Sequence, residues 1–189
     1  MARIQWKSCR TLGLFVGLFI LYLCIRVQNY EHKAFIFLPT THPNEVWEFV
    51  ADFSNMKYLN PTIIDFDIVE EKGNYGHWKY STKYSEKLSH WPYLPNHAIA
   101  HFDIQGDSKT HVYYINSTHR TCLFMGIYCL NASSEFKFTN SNSSNGAVCE
   151  EFVQYQCPSL LSEFCKREVV FQRKSIMNNL RKKFAERKH

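Results

Sequence analysis

The sequence lacks the short motifs that identify a known reaction or metal site. It has no C-x-x-C pair, which argues against a zinc ribbon, and no G-x-S-x-G, H-E-x-x-H or P-loop sequence. No Ser/His/Asp or Cys/His arrangement occurs in a diagnostic local context. We therefore predict no catalytic residue from motifs.

Two histidines and two aspartates could still suggest chemistry. His97 and His101 share one face of a predicted strand, but spacing fixes no third ligand, so we expect neither a metal nor another cofactor. Asp65 and Asp67 alternate with apolar residues, and an outward strand face explains them. Hydrogen-bonded or solvated side chains are the simpler interpretation of all four residues.

Positive charge is confined to the two ends of the chain. The net charge is +5, of which residues 1–27 contribute +4 and residues 166–189 contribute +7, so residues 28–165 carry −6. A nucleic-acid-binding protein usually spreads basic residues over one surface. We therefore expect no nucleic-acid partner.

The sequence has one long apolar run, residues 11–27. Seventeen helical residues span roughly 25 Å, slightly less than a ~30 Å hydrocarbon core. No small-residue cleavage site follows, which favours an uncleaved signal anchor over a signal peptide, and a cleaved segment would instead give a secreted protein. The basic residues before the run predict a cytosolic segment 1–10, a linker 28–32 and a lumenal or extracellular domain 33–189, as in a type II membrane protein.

Three sequons agree with a domain in the secretory lumen. They begin at Asn116, Asn131 and Asn142, and each could accept a glycan on an exposed surface. Because N-x-[ST] is common by chance, the three sequons raise the expectation of glycosylation without establishing it.

Five cysteines follow the apolar run: Cys122, Cys129, Cys149, Cys157 and Cys165. In an oxidising compartment some should pair, and the odd number leaves at least one over. Cys149 and Cys157 cannot bridge on one strand, because eight residues at ~3.3 Å separate them by roughly 26 Å. Cys122 and Cys129 can bridge only across a bend. All five could alternatively be small buried residues.

The remaining pattern predicts one strand, two short helices, about six antiparallel strands and a long final helix. In the stretch 43–61, Pro43 suits a helix start and Val46, Phe49, Val50 and Phe53 form one apolar face, with Trp47 off that face and expected at a pocket rim. Alternating residues then mark the strands, as in residues 77–85. From residue 159 to 187 neither Pro nor Gly interrupts an amphipathic helix.

This order, together with the stretch "HPNEVWEFVADFSNMKYLNP", resembles the START-like helix-grip superfamily. The resemblance is greatest to its polyketide-cyclase and coenzyme Q-binding members, and the expected fold is of the birch-pollen-allergen kind. The matching residues of the entry motif are Val46, Trp47, Val50, Asp52, Phe53, Met56 and Pro61. The resemblance covers about residues 33–187 and implies an α+β fold, with a curved antiparallel sheet of about seven strands gripping the C-terminal helix.

The resemblance also implies an apolar cavity between the sheet and the helix. The inward strand faces and the helix supply the candidate lining: Trp78, Tyr80, Tyr84, Phe102, His111, Tyr113, Phe136, Phe138, Phe164, Phe171 and Met177. A plain filled core is the alternative interpretation. The inward tyrosine hydroxyls favour a pocket, since binding sites usually hold a few polar groups amid apolar walls.

The hypothesis from sequence is a membrane-anchored lumenal domain that holds a lipid or another hydrophobic small molecule, as a carrier or presenter. An enzyme of the cyclase or hydratase kind could use the same pocket, with His111 as the inward titratable candidate. A ligand-free interaction domain is the third possibility. Neither the ligand nor a protein partner follows from the sequence.

Overall fold

The computed structural model describes residues 2–93, 95–107, 109–123, 126, 128–141 and 145–186. Its first element is helix α1, Ala2–Ile25, which contains most of the apolar run 11–27. Most described side chains along this run, such as Leu12 and Phe15, are exposed. Within these described ranges, however, no helix is both long and apolar enough to cross a membrane.

A seven-stranded antiparallel sheet forms most of the described structure. Its strands are β1 Val27–Pro39, β2 Ile63–Asn74, β3 His77–Lys87, β4 Pro95–Asp107, β5 Val112–Leu123, β6 Tyr128–Asn140 and β7 Gly146–Pro158. They lie side by side in the order β1-β7-β6-β5-β4-β3-β2. The first strand therefore pairs with the last, and each of the other strands pairs with its neighbour in sequence.

The first strand is longer than predicted. Residues 28–32, expected to be a linker, lie in β1, where Gln28 pairs with Cys157 and Tyr30 with Tyr155 of β7. The Tyr30 and Tyr155 rings stack with centroids 5.8 Å apart. Because the pairing starts at Val27, α1 is followed directly by the sheet.

Two short helices follow β1, as the sequence predicts. They are α2, Pro43–Ala51, and α3, Phe53–Leu59. Pro43 occupies the first turn of α2, where its missing N–H costs no hydrogen bond. Asp52 caps α3 by accepting a hydrogen bond from the Ser54 backbone N–H at 2.9 Å.

Trp47 of α2 is buried, so the prediction that it lies at a pocket rim is wrong. Its indole Nε1–H donates to the Tyr114 carbonyl at 3.2 Å, and its ring lies 5.2 Å from Trp78 and 5.0 Å from Tyr113. A Cβ on Gly106 would come within 2.9 Å of Trp47 Cη2, so this close packing requires glycine. Trp47 thus closes one end of the space beneath the sheet.

The long C-terminal helix packs across the concave face of the sheet. A 3-10 turn, Ser159–Leu161, leads into α4, Ser162–Glu186. Ile176, Leu180 and Phe184 of α4 are buried in the same core as α2 and α3. The N-terminal half of α4 lies over the opposite end of the sheet, where the interior is not filled.

Two disulfides join neighbouring elements of this fold. Cys122–Cys129 links the ends of β5 and β6 across the bend that the sequence requires for such a bridge. Cys157–Cys165 ties the end of β7 to the start of α4. Cys149 is free and buried.

Candidate functional site

A cavity of about 630 Å³ lies between the sheet and the N-terminal half of α4. Strands β3 to β7 form its walls, α3 closes one side, and Leu88 and Trp91 of the β3–β4 loop contribute to its rim. The volume lies within the range of roughly 300–1,000 Å³ that is usual for small-molecule sites. The interior is therefore large enough to admit an organic ligand.

Four of the eleven predicted ligand-binding residues line this cavity. They are Tyr84 of β3, Phe102 of β4, Phe136 of β6 and Phe164 of α4. The first three lie on alternating inward positions of their strands, and Phe164 lies in the first turn of α4. The structure thus places these aromatic side chains around one space, although their role in binding stays a prediction.

Six of the other predicted residues lie outside the cavity. Trp78 and Tyr113 pack against Trp47, and Phe138 stacks on Phe136 at 4.7 Å. Tyr80 stacks on Phe102 and donates its hydroxyl proton to the Ala51 carbonyl at 2.9 Å, while Met177 is buried in the core. Phe171 is partly exposed beside the His90 ring. Helix α2 fills the end of the interior at which most of these side chains point inward.

The prediction that His111 points into the interior is wrong. His111 lies in the turn before β5, is exposed and has a φ of 54°. The regular alternation of β5 begins only at Val112, so extending the inward row back to His111 was not justified. The histidine that does line the cavity is His119, further along the same strand.

His119 forms a polar chain across the cavity wall. Its Nδ1 lies 3.0 Å from the Tyr84 hydroxyl, and its Nε2 lies 2.8 Å from the Ser117 hydroxyl. Burial lowers the pKa of His119 to about 3, and the nearby charge of Arg173 acts in the same direction. Burial also raises the pKa of Tyr84 well above its ordinary value. At neutral pH both rings are therefore uncharged.

Glu86 and Asn96 face the cavity from adjacent strands. They are register partners of β3 and β4, and Asn96 Nδ2 donates to Glu86 Oε1 at 3.4 Å. Burial raises the pKa of Glu86 to about 7; the charge of Arg173 opposes this shift and that of Glu168 adds to it. The carboxyl is therefore close to half-ionised at neutral pH.

A buried ion pair crosses from β7 to α4. Arg173 Nη1 donates to Glu151 Oε1, which also accepts from the Ser134 hydroxyl at 2.8 Å. Glu151 Oε2 and Arg173 Nε are buried with no hydrogen-bond partner in the described part of the protein. The pair anchors α4 over the sheet and leaves polar atoms unsatisfied beside the cavity.

Glu168 of α4 holds the loop between β3 and β4. It accepts from the backbone N–H groups of Ser89 and His90 at 2.7 and 3.0 Å, and His90 Nδ1 lies 2.7 Å from Oε1. Burial raises the pKa of Glu168, but these hydrogen bonds outweigh it and the net shift is downward. An ionised Glu168 therefore holds the loop that carries Leu88 and Trp91 at the cavity rim.

Sequence reasoning missed the charged members of the site. Glu86 continues the inward row of Tyr80, Thr82 and Tyr84 by two more residues. His119 likewise continues the row that starts at Tyr113. Extending each alternation to the end of its strand would have found both residues. Glu151 likewise lies in the inward row of β7, between Cys149 and Val153. No pattern marks Glu168 or Arg173, because only the packing of α4 brings them to the cavity.

The predicted glycosylation sites lie on strands or outside the described ranges. Asn116 lies in β5 and is partly exposed, on the face opposite Ile115, and Asn131 is exposed in β6. Asn142 lies outside the described residues.

Across the described ranges, no group of three or more His, Cys, Asp or Glu side chains is placed to hold a metal ion.

Comparisons with solved structures identify the fold. Protein TTHA0849 from Thermus thermophilus matches with a TM-score of 0.55 and 9% identity, covering 86% of this chain and 100% of its own. Ara h 8.0201 matches with a TM-score of 0.52 and 16% identity over 85% and 99% of the two chains. A putative uncharacterized protein from Rhizobium leguminosarum matches with a TM-score of 0.52 and 11% identity, covering 86% of this chain and 99% of its own.

Identities this low show the fold and no activity. The chain has a START-like helix-grip fold of the birch-pollen-allergen kind, which confirms the fold expected from the resemblance. No protein-family model matches the sequence, and a search of curated proteins finds no match.

Proposed function

We propose that this protein binds a hydrophobic small molecule or lipid in the cavity between the sheet and α4, and that it carries or presents this ligand. The observation that supports the proposal is the cavity itself, about 630 Å³ in volume, with mainly apolar walls and a few buried polar groups. Such a combination is typical of ligand pockets, in which apolar contacts supply affinity and polar groups orient the ligand.

The direct test is native mass spectrometry of the gently purified protein. A co-purifying apolar molecule is expected, and a fully empty protein that also takes up no added lipid would contradict the proposal. Thr121→Trp should reduce ligand occupancy, because Thr121 lines the cavity and the larger ring would fill part of it. Arg120→Trp is the control, since Arg120 is exposed on the same strand and lies outside the sequons.

An enzyme acting on a hydrophobic substrate is the second candidate. It is favoured by the presence of two titratable groups at the cavity, Glu86 with a pKa of about 7 and neutral His119. A carboxyl that titrates near neutral pH is suited to general acid–base chemistry. The enzyme function is supported over the carrier function if a bound ligand is converted and if both Glu86→Gln and His119→Gln abolish this conversion while the ligand still binds. Binding without conversion supports the carrier.

We further propose that residues 11–27 attach the protein to a membrane, with the domain on the lumenal or extracellular side. The exposed apolar side chains of α1, the two disulfides and the three sequons support this arrangement. Resistance to carbonate extraction and a mobility shift after deglycosylation are expected in a eukaryotic host. Release by carbonate without any glycan would contradict the anchored, lumenal arrangement, and a glycosylated protein in the medium would indicate cleavage and secretion.

A further inference from the structure

Two buried hydrogen-bond acceptors at the cavity lack a partner among the described residues. Asn96 is 3% exposed, and its Oδ1 has no hydrogen-bond partner within the ranges described. Glu151 is also 3% exposed, and the same holds for its Oε2. Both residues line the cavity. A donor, Arg173 Nε, is also without a described partner, but Arg173 already forms the ion pair with Glu151. Because buried polar atoms are rarely left unpaired, the two oxygens point to a ligand that brings donors.

The charges around the cavity disfavour an anionic ligand. Its ionisable lining includes Glu86, Glu151 and Glu168 but only one arginine, Arg173, among the described residues. Arg173 is already paired with Glu151, and burial keeps His119 neutral. A carboxylate ligand would add a negative charge beside three glutamates, and the single arginine of this described lining, although its Nε–H is unpaired, is already neutralised by Glu151. Burying a further anion there is unfavourable.

Glu86 is the acceptor best placed to receive a charged donor. The only described hydrogen bond to the Glu86 carboxyl group is the one of 3.4 Å from Asn96, so this carboxyl group is weakly satisfied. The unpaired Asn96 Oδ1 belongs to the same pair of register partners. A protonated primary amine carries three donors and no acceptor, and a hydroxyl group has only one proton to donate.

We propose that the cavity selects apolar molecules that carry a protonated primary amine, and that Glu86 and Asn96 receive the ammonium group. This inference rests on the proposed binding function and names the chemical class of its ligand. The remaining cavity wall, with Phe102, Phe136 and Val153, contacts the apolar part. A fatty acid of the same length is rejected and the corresponding alcohol binds less tightly.

The proposal predicts a pH dependence of binding. The groups that face Glu86 are Arg173 and Glu168 of α4, Tyr84 of β3, His119 of β5 and Asn96 of β4. Glu86 loses its proton near pH 7, whereas an alkylamine resembles lysine, with a pKa of about 10.4, and stays charged. Amine affinity should therefore rise severalfold from pH 6 to pH 8, and alcohol affinity should not.

The experiment compares dodecylamine and dodecanoate, each below its micelle concentration, and 1-dodecanol, below its solubility limit, by isothermal titration calorimetry at pH 8. Dodecylamine is expected to bind at least tenfold tighter than 1-dodecanol, and dodecanoate is expected to bind most weakly. Thr121→Trp should weaken amine binding if the amine enters the cavity. Equal amine binding by that variant would place the amine outside the cavity and overturn the proposal.

Glu86→Gln should abolish the preference for the amine, because the amide retains an acceptor for Asn96 but cannot ionise. Glu150→Gln is the matched control, since Glu150 is exposed on the outer face of β7. An unchanged preference in Glu86→Gln would contradict the proposal, and so would a pH-independent amine affinity in the unmodified protein. Tighter binding of alcohol or dodecanoate would refute amine selectivity but leave the binding function standing. Failure of all three probes would count against the binding function itself.

Discussion

Glu168 and Ser89 are joined by two hydrogen bonds. The Ser89 backbone N–H donates to Glu168 Oε2 at 2.7 Å, and the Ser89 hydroxyl donates to Oε1 at 2.9 Å. The two residues are 79 positions apart in the chain, so this contact fixes the β3–β4 loop against α4 at the cavity rim. Leu88 and Trp91 line the cavity on the loop side of this rim.

Glu168→Gln should loosen the β3–β4 loop. The amide cannot accept at both oxygens, so hydrogen bonds to a buried charged group are lost, at a cost of about 2 kcal/mol in the free energy of unfolding. Hydrogen exchange should become faster at the amides of residues 88–91. Glu163→Gln, an exposed position on the same helix, is the control and should change neither quantity. Unchanged exchange in the loop would show that Glu168 does not hold it.

Glu86→Gln should stabilise the protein at alkaline pH. Burial raises the pKa of Glu86 from 4.5 to about 7, so the unfolded chain loses this proton first and stability falls as pH rises from about 4.5 to about 7. The variant lacks this loss. Its free energy of unfolding in urea should exceed that of the wild type by up to about 3 kcal/mol at pH 8, with no gain at pH 4. A gain that is equal at both pH values would speak against burial of an ionisable Glu86 as the cause.

His119→Gln should remove an opposite dependence on pH. Burial lowers the pKa of His119 from 6.5 to about 3, so only the unfolded chain takes up this proton as pH falls below 6.5, and stability falls with it. Relative to the wild type, the variant should gain about 3 kcal/mol between pH 7 and pH 4. Parallel stability curves of the two proteins would contradict a buried neutral His119.

Glu86 and His119 change the free energy of unfolding with pH in opposite directions, and in the wild type their two slopes nearly cancel between about pH 4.5 and pH 6.5. In each single variant, the free energy of unfolding should therefore vary with pH as the remaining group dictates. It should rise with pH in Glu86→Gln and fall with pH in His119→Gln, so each measurement checks the other.

Gly106→Ala should destabilise the closed end of the sheet. A Cβ at this position would lie 2.9 Å from both Trp47 Cη2 and Tyr113 Cδ1, and the packed rings leave little room to move. Overpacking of this kind usually costs about 1–3 kcal/mol. Thermal unfolding should show a lower Tm than the wild type. Gly76→Ala is the matched control because nothing lies within 4 Å of the added Cβ, and equal Tm values for the two variants would contradict the proposed packing.

Local patterns predicted much of the fold. The apolar face of Val46, Val50 and Phe53 marks α2 and α3, and all three residues are buried. The alternation of Trp78, Tyr80, Thr82 and Tyr84 identifies the inward face of β3. These features depend on residues close in sequence, with periods set by the helix and the strand.

The extent of β1 could not be read in the same way. Residues 28–32 are polar and lack an apolar alternation, so their strand conformation comes from pairing with β7, more than 120 residues away. Local sequence does not report such a partner.

The sequence by itself determined the element order, the inward rows of the strands and the amphipathic final helix, because each depends on neighbouring residues. Only the tertiary structure decided which end of the interior is filled. Trp47 closes the end near Trp78 and Tyr113, and the first half of α4 leaves the other end open. The packing of α4 also brings Glu168 and Arg173 beside Glu86, His119 and Glu151 of the sheet. Such contacts between distant segments leave no local pattern, and for that reason the chemistry of the cavity appears only in the folded chain.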